Sequence, residues 1–324
     1  MSAVLVIRPS SLGDVVHALA VVEDVRRHRP DLAVDWVAEE AFAPLVALHP
    51  GVRRVIPVAL RRWRRDPFSA GTWREFGAFR EELRREPYAA IVDLQEQLKG
   101  ALLARLARGP RHGPDRATLR EPLAALFHQH HHRIGPGLHF EDRCRQLAGA
   151  ALGYTPSGSP RYGIVAPLPP SALLPAGPYV TLFHATSRAD KLWPEERWQA
   201  LIAALAGAGY AVLLPWGSAD EKARSERLAA GSAAAVVPAR LALPALAGLI
   251  ARAEGTIGVD TGLVHLAAAL GTPTVALFVA TDPAQAGVGR SGAHAVDLGD
   301  VGVTPTVEAT MTAFGSLLRA APRC

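Results

Sequence analysis

The sequence predicts an α/β protein built from two Rossmann-like halves. Short β-branched segments alternate with amphipathic segments along all 324 residues, which is typical of βα units around a parallel sheet. Between the halves, residues 155–177 are too rich in Pro and Gly to continue a helix or a strand. The 49% hydrophobic content is enough for two cores. We therefore expect domains at 1–154 and 178–324, joined by a linker at 155–177.

The elements of each half follow from this alternation. Apolar, mostly β-branched runs predict strands at 4–7, 34–37, 55–58 and 90–94, and again at 179–183, 211–214, 256–259 and 274–278. Amphipathic stretches predict helices at 193–208, 221–230 and 243–253. Ligands of open α/β sheets bind beyond the carboxyl ends of the strands. The loops that follow Ile7, Phe183, Leu214 and Val259 are therefore where a site is expected.

Composition narrows the class of protein. Two cysteines, Cys144 and Cys324, without a CxxC spacing favour a reducing compartment and no disulfide framework. The first apolar run spans five residues, which predicts a strand because it is too short for a secretory segment or a membrane span. Residues 1–150 carry 23 Lys and Arg against 18 Asp and Glu, whereas 151–324 carry 12 of each. The basic half is thus expected to meet anionic groups.

The loop after Ile7 reads RPSSLGDVVH and opens a helix. An acid at a helix start opposes phosphate binding, so Asp14 is interpreted either as a general base or as an acid that complements the helix dipole. The loop lacks GxGxxG, which argues against a dinucleotide oxidoreductase. Farther on, the densest basic cluster contains Arg61, Arg62, Arg64 and Arg65, and it indicates either an anion site or a solvated face.

Two loops of the second half suit a diphosphate. HATSRADKLWP offers two hydroxyls and Lys191, which would stabilise a leaving charge unless Lys191 pairs with Asp190 or a nearby Glu at the surface. In GVDTGLVHLAAAL, Asp260 is expected to cap a helix, and the small Thr261 and Gly262 would admit an anion to the first-turn N–H groups. His265 lies on the face of Gly262, where a ligand contact and a core position are both open. The histidines at 128 and 130–132 are interpreted as a loop without a metal.

Taken together, these motifs resemble glycosyltransferase family 9, the lipopolysaccharide heptosyltransferases. The resemblance covers nearly the whole chain, through SSLGDVVHAL, DWVAEEAF, RVIPVALRRWRR, REPLAALF, HATSRADKLWPEERW, LPWGSADE and GVDTGLVHLAAAL. It implies a GT-B architecture, with the parallel sheets of two Rossmann-like domains facing each other across a central cleft. It also implies inverting transfer of L-glycero-D-manno-heptose from ADP-heptose to the Kdo of Kdo2-lipid A. No metal or other cofactor is implied, and the reaction would occur at the anionic cytoplasmic face of the inner membrane of a Gram-negative bacterium.

The resemblance implies a role for each matching residue. Asp14 would be the catalytic base, and Lys191 would assist the departure of the diphosphate. The acceptor would be bound by Ser10, Arg61, Arg62, Arg64 and Arg120. The donor would be bound by Thr186, Ser187, Lys191, Glu221, Leu241, Asp260, Thr261, Gly262 and His265.

Departures from the family pattern leave the identity of the acceptor undecided. The family usually has Lys-Thr at Arg8-Pro9, methionine at Leu241 and glycine at Glu96, and Glu96 adds an acid to a loop expected near an acidic acceptor. Alternatives are a family member with a heptosylated acceptor, such as a heptosyltransferase II, and a non-catalytic nucleotide-sugar-binding protein. Nucleic-acid binding is disfavoured because few aromatic residues interleave the arginines.

Overall fold

The computed structural model describes residues 2–135 and 137–320, so that Cys324 lies outside the described residues. The chain divides into two compact units, Met1–Val165 and Ala166–Cys324. The assignment of 155–177 as a linker stays a prediction. No helix within the described ranges is long and apolar enough to cross a membrane.

The first unit is a parallel sheet with the strand order β3-β2-β1-β4-β5-β6. Its strands are β1 Ser2–Ile7, β2 Leu32–Glu39, β3 Val52–Val58, β4 Ala90–Asp93, β5 Arg111–Pro114 and β6 His130–His132. Its helices are α1 Leu12–Ala18, α2 Ala20–His28, α3 Ala43–Val46, α4 Leu60–Trp63, α5 Ala70–Leu83, α6 Leu98–Leu106 and α7 Phe140–Leu152, with a 3-10 helix at Pro122–Phe127.

The second unit repeats this topology, with the order β12-β11-β10-β7-β8-β9 in a parallel sheet. Its strands are β7 Tyr179–Phe183, β8 Ala211–Leu213, β9 Ala235–Val236, β10 Gly255–Val259, β11 Thr274–Phe278 and β12 Ala295–Gly299. Its helices are α8 Glu195–Gly207, α9 Ala219–Ala229, α10 Leu243–Arg252, α11 Gly262–Ala269, α12 Pro283–Ala286 and α13 Val307–Ala320, with 3-10 helices at Ser171–Leu173, Ala189–Lys191 and Gly289–Ser291. The prediction of two Rossmann-like α/β units is confirmed.

Both faces of each sheet carry an apolar core, which explains why most residues of the predicted strands are apolar. Along β1, Val4 and Val6 belong to the core on one face, while Leu5 and Ile7 belong to the core on the other. Strand order reverses between β1 and β4 and between β7 and β10. Such switch points open a crevice beyond the carboxyl ends of the strands. Each unit therefore has one crevice, and the motif loops border it.

The interpretation of the histidine tract as a loop is wrong. Residues 130–132 form the edge strand β6, which pairs with β5. His112 stacks between His130 and His132 with ring centroids 4.5 and 5.3 Å away, and its Nδ1 lies 3.0 Å from Nε2 of His132. Registered pairing places these rings on one face, so cross-strand contacts stabilise a strand whose sequence is polar. His128 is buried, with Nε2 3.0 Å from Asp93 Oδ2.

Candidate functional site

The donor-side loops of the second unit converge on the carboxylate of Asp260. Lys191 Nζ lies 2.5 Å from Asp260 Oδ2, and Thr281 Oγ1 donates to the same oxygen at 2.7 Å. His265 Nε2 lies 3.5 Å from Oδ1, and Thr186 Oγ1 donates to the main-chain oxygen of Asp260 at 3.3 Å. We call these five residues the Asp260 network. Because β7 and β10 are neighbours, residues about 70 positions apart meet beyond their ends.

Lys191 does not form either of the surface pairs considered from the sequence. Asp190 instead pairs with Arg188, while the Lys191 side chain is only 16% exposed and pairs with Asp260. Burial raises the pKa of Asp260, but His265, Lys191 and Thr281 outweigh burial and hold that pKa well below its usual range. Asp260 is therefore ionised at neutral pH, and its carboxylate holds the Lys191 side chain in the crevice.

The expectation that Asp260 caps α11 is wrong. The N-cap position of this helix is Thr261, whose side chain makes no capping hydrogen bond within the described residues. The Asp260 carboxylate is turned to Lys191 and Thr281 instead, because an ammonium group and a hydroxyl satisfy its charge there. Gly262 begins the helix, and its small size leaves the first-turn N–H groups accessible to an anion.

The other predicted donor residues lie outside the Asp260 network. Ser187 is exposed on the loop that carries Lys191. Glu221 lies in the first turn of α9, where its Oε2 accepts from Gly217 N at 2.6 Å. Leu241 is half-buried and packs on an apolar cluster that includes Tyr179. The structure thus brings Lys191, Thr186, Asp260 and His265 together, whereas Glu221 contacts its own helix start and Leu241 packs on a separate apolar cluster.

A second layer supports this crevice, and the sequence did not predict it. Asp297 on β12 accepts from Val288 N at 2.8 Å and from Gly289 N at 2.9 Å, so it holds the turn that follows α12. Burial raises the pKa of Asp297, although these two N–H groups act in the opposite direction. Thr281 lies in the loop beyond the end of β11, and that position was the signal available for finding it, whereas Asp297 lies in the middle of the short β12.

In the first unit, Asp14 is the acid of a capping box that opens α1. Its Oδ2 accepts from Ser11 N at 2.9 Å and from Ser11 Oγ at 2.8 Å, and it pairs with Arg8 at 2.7 Å. The reading of Asp14 as a helix-start acid is confirmed. Burial raises its pKa, but Arg8 and Ser11 outweigh burial and lower that pKa overall. The side chain remains 35% exposed and ionised, so the role as a base stays a prediction.

Ser10 lies beside a lysine that the sequence did not predict as a site residue. Lys99 Nζ donates to Ser10 Oγ at 2.8 Å, and Ser10 N donates to Gln95 Oε1 at 3.2 Å. Burial lowers the pKa of Lys99, and the nearby positive charge of Arg8 lowers it further. The crevice beyond β1 and β4 therefore carries a basic group next to the Asp14 loop.

The arginine cluster divides into different environments. Arg62 pairs with Glu40 at 3.0 Å and with Glu75 at 2.8 Å, so its charge is already compensated. The Arg61 guanidinium lies 5.3 Å from the Phe42 ring centroid. Arg64 is exposed and makes no ion pair with the described residues. Among the three, Arg64 thus presents its charge most freely.

Two further expectations concern single residues. Arg120 is exposed. Glu96 adopts φ 58°, a left-handed conformation that favours the glycine usual at this position. Its carboxylate pairs with Arg143 at 2.6 Å, so Arg143 balances the added acid.

One group of side chains has the composition of a metal site. The ligand atoms of His17, His139 and Glu141 lie within 4.8 Å of one another, and all three residues are buried. His139 Nδ1 accepts from Glu141 N at 3.4 Å and caps α7, so this nitrogen already has a structural partner. We therefore interpret this group as packed side chains and not as a metal site. That the reaction proceeds without a metal stays a prediction.

Comparison with known proteins agrees with these motifs. The model of glycosyltransferase family 9 (heptosyltransferase) matches residues 76–313. Lipopolysaccharide heptosyltransferase 1 of Escherichia coli K12 is 43% identical over 286 residues, which cover 88% of this chain and 90% of that protein. The namesake from Pseudomonas aeruginosa is 42% identical over 297 residues, which cover 90% and 82%.

A solved structure, E. coli heptosyltransferase WaaC with ADP, is similar with a TM-score of 0.89 and 39% identity, covering 98% of this chain and 100% of that one. WaaC with ADP-2-deoxy-2-fluoro heptose is similar with a TM-score of 0.85 and 39% identity, covering 98% and 99%. The family model spans most of the chain, and these relatives match it nearly end to end. The chain therefore belongs to glycosyltransferase family 9, the heptosyltransferase family.

Proposed function

We propose that this enzyme transfers L-glycero-D-manno-heptose from ADP-heptose to the Kdo of Kdo2-lipid A, with inversion and without a metal ion. The observation that carries the proposal is the Asp260 network, in which a half-buried lysine lies beside a helix start without a side-chain cap, at a switch point. Such a site suits the diphosphate of a nucleotide sugar. The similarity to heptosyltransferase 1 proteins, and to WaaC with ADP and with a fluorinated ADP-heptose, supports the donor.

Two residues of this chain are assigned roles in the proposed reaction. A Kdo hydroxyl oxygen attacks the anomeric carbon of the heptose, the bond from that carbon to the diphosphate oxygen breaks, and ADP leaves. Asp14 accepts the hydroxyl proton. Lys191 stabilises the negative charge that develops on the diphosphate, which is the part a metal ion would otherwise take.

Donor recognition is assigned to the second unit. Thr186, Ser187 and the first-turn N–H groups after Thr261 would bind the diphosphate, and His265 would contact the diphosphate or the heptose. Glu221 would bind the ribose, and Leu241 would pack against the adenine. Replacing methionine by Leu241 preserves an apolar contact at small energetic cost.

Acceptor recognition is assigned to the first unit. Ser10, Arg61, Arg64 and Arg120 would bind the phosphates and carboxylates of the acceptor. Arg62 would add less, because Glu40 and Glu75 already compensate its charge. The excess of basic residues over 1–150 favours an anionic acceptor on this unit and a peripheral position at the cytoplasmic face of an anionic inner membrane.

The experiment that tests the proposal measures ADP release from ADP-heptose with each of two acceptors and without an acceptor. We expect turnover with Kdo2-lipid A and none with its heptosylated product or without acceptor. Turnover restricted to the heptosylated acceptor would assign the chain to heptosyltransferase II chemistry. Tight donor binding without turnover on either acceptor would favour a non-catalytic nucleotide-sugar-binding protein.

A further inference from the structure

The segment that precedes and begins α5 exposes basic and aromatic side chains. Residues 61–74 contain five arginines against one aspartate. Phe68 is 94% exposed and Trp73 is 62% exposed, although both are large apolar side chains. Arg64 and Arg65 are exposed on the same segment. We call Arg64, Arg65, Phe68 and Trp73 the Phe68 surface.

This exposure occurs in an ordered segment. Ser69 is the N-cap of α5 and accepts from Gly71 N at 3.1 Å, and Thr72 Oγ1 donates to the main-chain oxygen of Asp66 at 2.8 Å. Phe68 and Trp73 therefore occupy the positions before and after the cap at which two apolar side chains usually pack on each other. At 94% exposure, Phe68 does not make that contact. Hydrogen bonds hold the chain while the ring stays in solvent.

Trp73 is fixed from the inner side by other aromatic rings. It contacts Phe76 edge to face at 5.8 Å, and Phe76 contacts the buried Trp63 in the same way at 5.9 Å. Trp63 Nε1 donates to Glu75 at 2.8 Å. Trp73 thus offers its outer side to a partner without rearrangement, which lowers the entropic cost of docking.

We propose that the Phe68 surface docks on an anionic lipid bilayer. The amphipathic ring of Trp73 is favoured at the headgroup level, where an apolar body meets polar surroundings. The apolar ring of Phe68 is favoured at the boundary between headgroups and acyl chains. Arg64 and Arg65 then face lipid phosphates, and their charge complements the surface potential of an anionic leaflet. The inference deepens the proposed function, because a lipid acceptor is reached from the bilayer surface, but vesicle binding requires no turnover.

The test is cosedimentation of the full chain with phosphatidylcholine vesicles and with equimolar phosphatidylcholine and phosphatidylglycerol vesicles. Wild type is expected to bind the anionic vesicles preferentially. Phe68→Ala and Trp73→Ala should each lower the partition coefficient about tenfold through lost apolar burial. Arg65→Gln should lower it about fivefold, and only on anionic vesicles.

Matched controls separate this surface from general hydrophobicity and charge. Leu168 is 78% exposed in the second unit, and the Arg85 side chain is 71% exposed beyond the end of α5. Leu168→Ala and Arg85→Gln should bind vesicles as wild type does. Phe68→Ala should also keep wild-type turnover on an acceptor that lacks acyl chains, while its KM for a vesicle-embedded acceptor rises.

Three outcomes would overturn the inference. The first is that the wild-type protein does not bind anionic vesicles, and the second is that the Phe68→Ala/Trp73→Ala variant binds them like wild type. The third is that this double variant loses self-association in size-exclusion chromatography while its vesicle binding is unchanged. The last would assign the surface to a second copy of the chain. If the vesicle pattern holds while ADP-heptose is never turned over, the proposed function fails and the bilayer surface stands.

Discussion

Asp14→Asn tests whether the capping acid of α1 is also the base of the reaction. The amide retains an oxygen that can accept from Ser11 but cannot take up a proton at neutral pH. We expect turnover to fall about 10²–10⁴-fold. Donor affinity should hardly change, because the proposed donor residues belong to the second unit.

The same change has a structural cost that must be separated from catalysis. Arg8 is 4% exposed and loses the charge that lies 2.7 Å away. Removing one partner of a fully buried ion pair costs about 3–5 kcal/mol. The Asp14 side chain is 35% exposed, so solvent screening reduces this to about 1–2 kcal/mol. A loss of that size lowers the melting temperature by about 2–8 °C.

Arg8→Met supplies the control, because it removes the lone charge and leaves an apolar chain beside Phe140, whose ring centroid lies 4.5 Å from the guanidinium carbon. The Arg8→Met/Asp14→Asn variant should regain melting temperature but not kcat, measured as ADP release at saturating donor. Recovery of kcat in the double variant, or near-wild-type kcat in Asp14→Asn, would refute the role of Asp14 as base. Arg8→Met alone should raise the pKa of Asp14 and shift the acidic limb of kcat to higher pH.

Three further predictions follow from the contacts. Lys191→Ala should lower kcat more than it raises donor KM, with wild-type activity surviving EDTA; restoration of chelated enzyme by Mg²⁺ would contradict metal-free chemistry. Arg64→Gln should raise acceptor KM and weaken its salt dependence, whereas Arg62→Gln should mainly lower thermal stability; the reverse ranking would contradict the pairing argument. Burial and neighbouring histidines lower the pKa of His112 to about 4, so its contribution to stability is present above about pH 6.5 and is lost toward pH 4. His112→Asn should flatten that part of the unfolding profile, and an unchanged profile would contradict this.

Most of the strands predicted from sequence are buried along their length, whereas the predicted β3 is an edge strand with exposed residues. The interior strand β1 is buried and apolar on every side chain from Ala3 to Ile7, which leaves a run that can be recognised. The strands β5, β6, β9 and β12 were missed because they are short or polar. In β6, three histidines are stabilised by registered partners on β5, and no local pattern contains that information.

The residues of the candidate site also divide into those that the sequence could predict and those that it could not. Loops directly after apolar strands could be identified, which brought Lys191 and Asp260 into consideration one at a time. Their pairing depends on β7 lying beside β10, a fact of strand order rather than of spacing. The same long-range placement brings Thr281 to Asp260 and Lys99 to Ser10, so neither Thr281 nor Lys99 was predicted.

These contacts determine how much binding free energy an anionic ligand gains at each basic residue. Lys191 already has Asp260 as a counter-ion, so a diphosphate that binds Lys191 gains only the difference between two anions. Asp260 can keep Thr281 and His265 as partners when Lys191 turns to the diphosphate, which limits the cost of the exchange. Arg64 has no such competitor among the described residues, so an anion gains its full, though solvent-screened, attraction there. Donor binding should therefore depend on geometry around a prepaired lysine, whereas acceptor binding should depend on ionic strength.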